Sequence, residues 1–202
     1  MKNFYCNFSR EYTKYGIAEA LGNVLNKKKP IICCIGTDAV IGDSLGPLVG
    51  TMLSEKLRGR TYVYGNLSKP ITAKDVKALS EYLSAVHIGC PILAIDAALG
   101  EKEELGAIKV SGDPVKPGLG VKKELTEIGN AMLIAVVDEK GKNNFLTSVR
   151  LSLVYRLAES ITQGVIEYFD NLEEELTEKT NVPDAKDLSL LQNDKADSVN
   201  AL

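Results

Sequence analysis

The chain contains a single histidine, His87, and none of its four cysteines, Cys6, Cys33, Cys34 and Cys90, forms a Cys-x-x-Cys pair. Neither zinc-ligand spacing nor a thioredoxin-like redox site is therefore present. Positive charge is not in excess: 24 Lys and Arg face 27 Asp and Glu, for a net charge of -3 and a pI near 5.4. No global basic field points to nucleic acid or to an anionic membrane. No apolar run approaches the length of a bilayer span. The first residues, MKNFYCNFSREYTKYG, lack the apolar core of a signal peptide. The expectation is a cytoplasmic protein with no nucleic-acid or membrane partner.

What is present is enough apolar content, 45% of 202 residues, to bury a core. The pattern alternates. Residues 10–27 have helical apolar spacing, and IICCIG (31–36) is a short, nearly all-apolar run that suits a strand covered on both faces. Residues 43–59 read as a helix with Asp43 at the cap, and TYVYG (61–65) as a strand. Residues 71–87 read as a helix with Thr72 as cap and Asp75 three residues on. PILAID (91–96) is a strand ending on an acid, and GAIKVS (106–111) a strand nearer the edge. Residues 112–120 form a Gly- and Pro-rich loop, 121–129 a short helix, 131–137 a buried strand, 138–144 a turn region and 147–169 the longest helix. Such alternation argues for βαβ units, a mostly parallel sheet and a three-layer α/β sandwich. One domain is expected over residues 1–170. Residues 171–202 are rich in charge and poor in large apolar residues, and read as a disordered or helical acidic tail. Cys33 and Cys34 point to opposite faces of their strand and read as small buried apolar residues.

The stretch CIGTDAVIGDSLGP (34–47) packs two acids and three glycines between a strand and a helix. Three readings apply. As a phosphate cradle it fails, because it matches neither Gly-x-Gly-x-x-Gly nor a Gly-Lys-Ser/Thr loop, and its acids would repel phosphate. As a structural turn it needs only Asp43 as a helix cap, which leaves Asp38 unexplained. As a site it uses the crevice beyond the carboxyl ends of the strands, where the order of an open α/β sheet reverses. Strands 31–36 and 91–96 would bring Asp43 and Asp96 together there. Two close carboxyls do not both ionise easily, and one acid and one base facing a water are a minimal kit for peptide hydrolysis. A metal site would need a third ligand. His87 precedes the strand that Asp96 ends, which separates the two by roughly 20 Å at about 3.3 Å per residue.

Three ordered motifs, GTDAVIGDSLGP, LAIDAALG and KVSGDPVKPGLGVKKELTEIG, resemble the YyaC family of sporulation proteins, itself related to the spore germination protease. The resemblance spans roughly residues 30 to 140. Gly36 followed by Asp43 in DSLGP, Ile95-Asp96-Ala97 and PGLGVK (117–122) match that protease's motifs in order. The resemblance implies a phosphorylase/hydrolase-like α/β fold, shared with hydrogenase maturation proteases. It also implies an atypical aspartic endopeptidase with Asp43 and Asp96 catalytic, acting without a cofactor. Hydrogenase maturation proteases bind nickel through two acids and a later histidine. This chain has no histidine after His87, so a metal-free site is expected. Asp38, Gly42, Gly118 and Gly120 are candidates for substrate binding. The substrate would be a protein or peptide, spore proteins being the class implied, in the cytoplasm of the spore or forespore. Homo-oligomerisation stays open. The alternative is a non-enzymatic sporulation protein that keeps the fold and binds a partner, its acids serving as cap and turn.

Overall fold

The computed structural model describes residues 4–7, 12–115, 127–141 and 149–180, with side chains for all of these except 4–7, 179 and 180. Strands β1 (Phe4–Asn7), β2 (Ile31–Cys34), β3 (Val63–Tyr64), β4 (Ile92–Gly100), β5 (Ala107–Ser111) and β6 (Ala131–Glu139) form one sheet in the order β1-β5-β6-β4-β2-β3. The four strands β3, β2, β4 and β6 run parallel, while β5 is antiparallel to both β6 and β1. Helices α1 (Thr13–Val24), α2 (Leu45–Lys56), α3 (Val76–Val86) and α4 (Leu151–Thr180) complete the described elements. The chain divides into two compact units, Met1–Phe169 and Asp170–Leu202, and the whole sheet belongs to the first.

Both faces of the sheet are covered, as the all-apolar β2 demands: Ile31 to Cys34 are all buried. On one face lie α1, α2 and the first part of α4. A side chain at Gly164 of α4 would run into Ile17 of α1, and Thr162 of α4 reaches the Met52 sulfur of α2 at 3.5 Å. On the other face α3 contributes Val76 and Leu83 to a cluster with Ile31, Cys33, Ile35, Ile71 and Ala94. The three-layer α/β sandwich expected from the sequence is therefore the fold. The start of α2 lies backbone to backbone against β2, because Gly46 has no side chain and a Cβ there would overlap the Ile35 carbonyl. That contact fixes where the turn before α2 sits.

Several elements differ from the sequence reading. β1 was not expected, since FYCN carries no apolar alternation; it forms by pairing with β5, so that β5 lies one strand in from the edge. β4 does not end at Asp96 but continues to Gly100, because β6 keeps pairing with it. α3 begins at Val76, and Thr72 is not its cap. The relation is inverted: Thr72 donates its N–H and its hydroxyl to the Asp75 carboxylate, at 2.9 and 2.7 Å. Of the helix expected at 121–129, most lies outside the described residues, and Ile128 forms a β-bridge with Val115 instead. The last helix extends to Thr180.

Candidate active site

The chain passes from β2 to β3 on one side and then to β4 on the other, so the strand order reverses between β2 and β4. This is where ligands bind in open α/β sheets. β2 pairs with β4 up to Cys34 opposite Ile95, and the last bond runs from the Ile35 N–H to the Ile95 carbonyl at 2.8 Å. Gly36 then turns the chain away, its N–H bonding to the Ile71 carbonyl at 2.8 Å. Its φ of 142° is one that favours glycine, and a side chain there would meet the backbone carbonyl of Asp43. The loop thus folds back over Gly36 and carries Asp43 to the mouth of the crevice.

Asp43 does not cap α2, contrary to expectation. It lies in a one-turn 3-10 helix, Gly42–Ser44, that precedes α2, and no side chain caps either element. The turn is held by other bonds: Asp43 N–H to Val40, Ser44 N–H to Ile41, and the Ser44 hydroxyl to the Ile41 carbonyl at 2.6 Å. The Asp43 carboxylate makes no cap bond to either element.

Asp96 is buried, at 7% exposure, and Asp43 is half-buried. The Asp96 carboxylate accepts the N–H of the next residue, Ala97, at 2.8 Å. Burial pushes Asp96 well above the usual carboxylate range, and the charge of Asp43 pushes it further, against the Ala97 N–H. Burial also raises Asp43, opposed by a Thr37 backbone N–H. Asp43, the less buried, ionises first, and its charge then holds the proton on Asp96. The charge of Asp43 thus reaches Asp96, and the two acids differ in how deeply they are buried. Cys33 lies close enough to feel the Asp96 charge, but burial chiefly raises its thiol to about 12. It stays protonated and is no nucleophile at neutral pH.

The remaining candidates separate. Gly42 is buried and opens the turn that holds Asp43. Asp38 is exposed on the loop and is not among the groups that shift either carboxylate. Gly118 and Gly120 lie outside the described residues. The sequence reading assigned no role to Asp138, which is buried at 7% on β6, in register with Leu99 of β4. It accepts the following N–H, that of Glu139, at 2.8 Å, just as Asp96 accepts that of Ala97. The signal was there: AMLIAVV runs into Asp138 as PILAI runs into Asp96.

Comparison with solved structures shows the fold. The chain matches the crystal structure of HycI, a NiFe hydrogenase maturation protease from Thermococcus kodakarensis KOD1, with a TM-score of 0.51. The match covers 74% of this chain and 98% of that one at 17% identity, so the likeness is one of fold. The chain belongs to the family described as "Protein of unknown function (DUF1256)", which matches residues 5–164. It is 38% identical over 140 residues, 68% of each chain, to the uncharacterized protein YyaC of Bacillus subtilis (strain 168).

A nickel set of two acids and a histidine does not fit this chain. His87, the only histidine, ends α3 and is bonded through Nε2 to the Tyr64 hydroxyl at 2.7 Å. It lines a cavity with Cys90, Ile92 and Asn130, at the ends where β4 and β6 begin, opposite the crevice. Among the described residues no three His, Cys, Asp or Glu side chains are grouped to hold a metal ion. Among them, too, no helix is long and apolar enough to cross a membrane.

Proposed function

We propose that this protein is an endopeptidase that hydrolyses peptide bonds with Asp43 and Asp96. The observation that carries the reading is the place of the two carboxylates at the switch point, Asp96 buried and Asp43 half-buried, with burial and the charge of Asp43 both raising Asp96. The ionised Asp43 takes a proton from a water as the water oxygen attacks the carbonyl carbon. Asp96 gives its proton to the carbonyl oxygen. The resulting diol collapses as the C–N bond breaks; the leaving nitrogen receives the proton held by Asp43, and Asp96 recovers its own from the diol. The release of Asp43 from helix capping also favours this reading over a partner-binding protein whose acids serve only as cap and turn.

The substrate class that the family resemblance supports is a spore protein, and the setting is the cytoplasm of a sporulating cell. The test is cleavage of spore-protein substrates by the full chain and by Asp43→Asn and Asp96→Asn. Each substitution is expected to lower turnover by on the order of 10²–10⁴-fold, with unchanged circular dichroism. Full activity in either variant overturns the mechanism.

A further inference from the structure

β4 outruns β2, and the edge this exposes adjoins the carboxylate pair. Along β4 the backbone groups alternate between its two neighbours. Ile92 and Gly100 accept bonds on the β6 side, from Asn130 and Lys140, whereas Ile95 accepts from Ile35 on the β2 side. Ala97 and Leu99 therefore face the β2 side. There β2 has already ended, since Gly36 turns its chain toward Ile71. The Ala97 N–H is taken by the Asp96 carboxylate. The Ala97 carbonyl and the N–H and carbonyl of Leu99 have no partner among the described residues. Burial changes at the same point: Leu93 to Asp96 are buried, while Ala97 to Leu99 are half-buried. The other side of β4 stays paired with β6 through Gly100, with a register shift between Ala98 and Leu99, so the segment is a paired strand and not a frayed end.

We propose that the β2-facing edge of β4 from Ala97 to Leu99 binds the substrate as an added β-strand, so that the ligand is an extended, unfolded polypeptide segment. The proposal rests on the peptidase reading of the same crevice. Main-chain pairing of this kind recognises any extended segment, whatever its sequence, and leaves selectivity to side-chain pockets. An acceptor, a donor and a second acceptor at Ala97 and Leu99 match the alternation that a strand presents. The next residue back is Asp96, so a segment paired here passes its peptide bonds over the two carboxylates. A folded protein could meet this edge only through an exposed edge strand or an extended loop of its own.

The experiment is residue-resolved amide exchange on the full chain carrying Asp43→Asn, with a pool of randomised decapeptides and with the same pool N-methylated at every backbone nitrogen. The Leu99 amide is expected to exchange fast alone. The unmethylated pool at ten times its dissociation constant should slow it by about tenfold, and the methylated pool should not. Leu99→Pro removes the outward N–H, which the β6 ladder does not use, and should abolish the binding, while Leu99→Ala, which keeps that N–H, should retain it. If the Leu99 amide is already protected without peptide, another segment of this chain holds the edge and the proposal fails. It also fails if the two pools act alike, or if peptide is cleaved by the unsubstituted chain without protection of Leu99, which leaves the peptidase reading intact. Protection of Leu99 without any cleavage sustains the edge and removes the peptidase reading.

Discussion

Gly36 lies directly beneath the backbone carbonyl of Asp43, so close that a Cβ on the glycine would overlap that oxygen. One residue thus does two things. It turns the chain out of β2, and it leaves room for the loop that delivers Asp43. Gly36→Ala should cost about 1–3 kcal/mol, because the backbone there favours glycine and the overlap is with backbone, which cannot rotate away. Urea unfolding measures the loss, and cleavage by the folded fraction should fall with it.

The activity should have a bell-shaped pH profile. Both carboxylates are raised, and the proposed mechanism needs one proton between them. Activity should be lost at low pH as Asp43 gains a proton and at high pH as Asp96 loses its own. Both limbs should lie above the pKa of about 3.9 of a free aspartate. Asp96→Asn should flatten the alkaline limb of whatever activity remains. Turnover followed across the pH range checks this, and an optimum below the free-aspartate value would contradict it.

Stability should carry the mark of the buried acid. Below the pKa of an unfolded aspartate, about 3.9, Asp96 is protonated in both states and contributes nothing to the pH dependence. As the pH rises past it, the unfolded chain ionises first and binds fewer protons than the native state, so stability falls with pH until the raised native pKa is passed. Asp96→Asn removes that slope. Its stability relative to the unsubstituted protein should therefore improve as the pH rises past about 3.9, until the raised native pKa of Asp96 is passed. Denaturant midpoints measured across that range test the sign; a relative loss with rising pH would refute it.

The thiols should divide by burial. Cys33 and Cys34 are buried, with Cys33 raised to about 12 and Cys34 raised well above its usual value. Cys90 is exposed. Brief alkylation of the native protein followed by mass spectrometry should modify Cys90 and leave Cys33 and Cys34 intact until denaturant is added. Labelling of Cys33 in the native state would mean that the crevice opens down to the β2 core.

The strands that line the site were legible because they are buried on both faces. IICC and PILAID need no partner to be recognised; their unbroken apolar character and the turn residues around them are enough. β1 was not legible for the opposite reason. FYCN has no pattern of its own and is a strand only because β5 offers it an edge. The same contrast holds at Thr72 and Asp75, whose spacing suits a capping box but whose bonds run the other way. Local spacing names the partners without deciding which donates.

What the sequence by itself determined is where the two acids stand in the chain and which elements bear them, because Gly36, DSLGP and Ile95-Asp96-Ala97 mark a strand end, a turn and a second strand by residue type and order. Tertiary structure alone decided the surroundings of those acids. Whether Asp43 caps α2 depends on where the 3-10 turn places it over Gly36. Which acid keeps the proton depends on how deeply β4 buries Asp96, and burial is a property of the packed sheet. The β2-facing edge of β4 beyond Asp96, unpaired among the described residues, likewise arises because two strands distant in sequence end at different heights, a relation that no local pattern encodes.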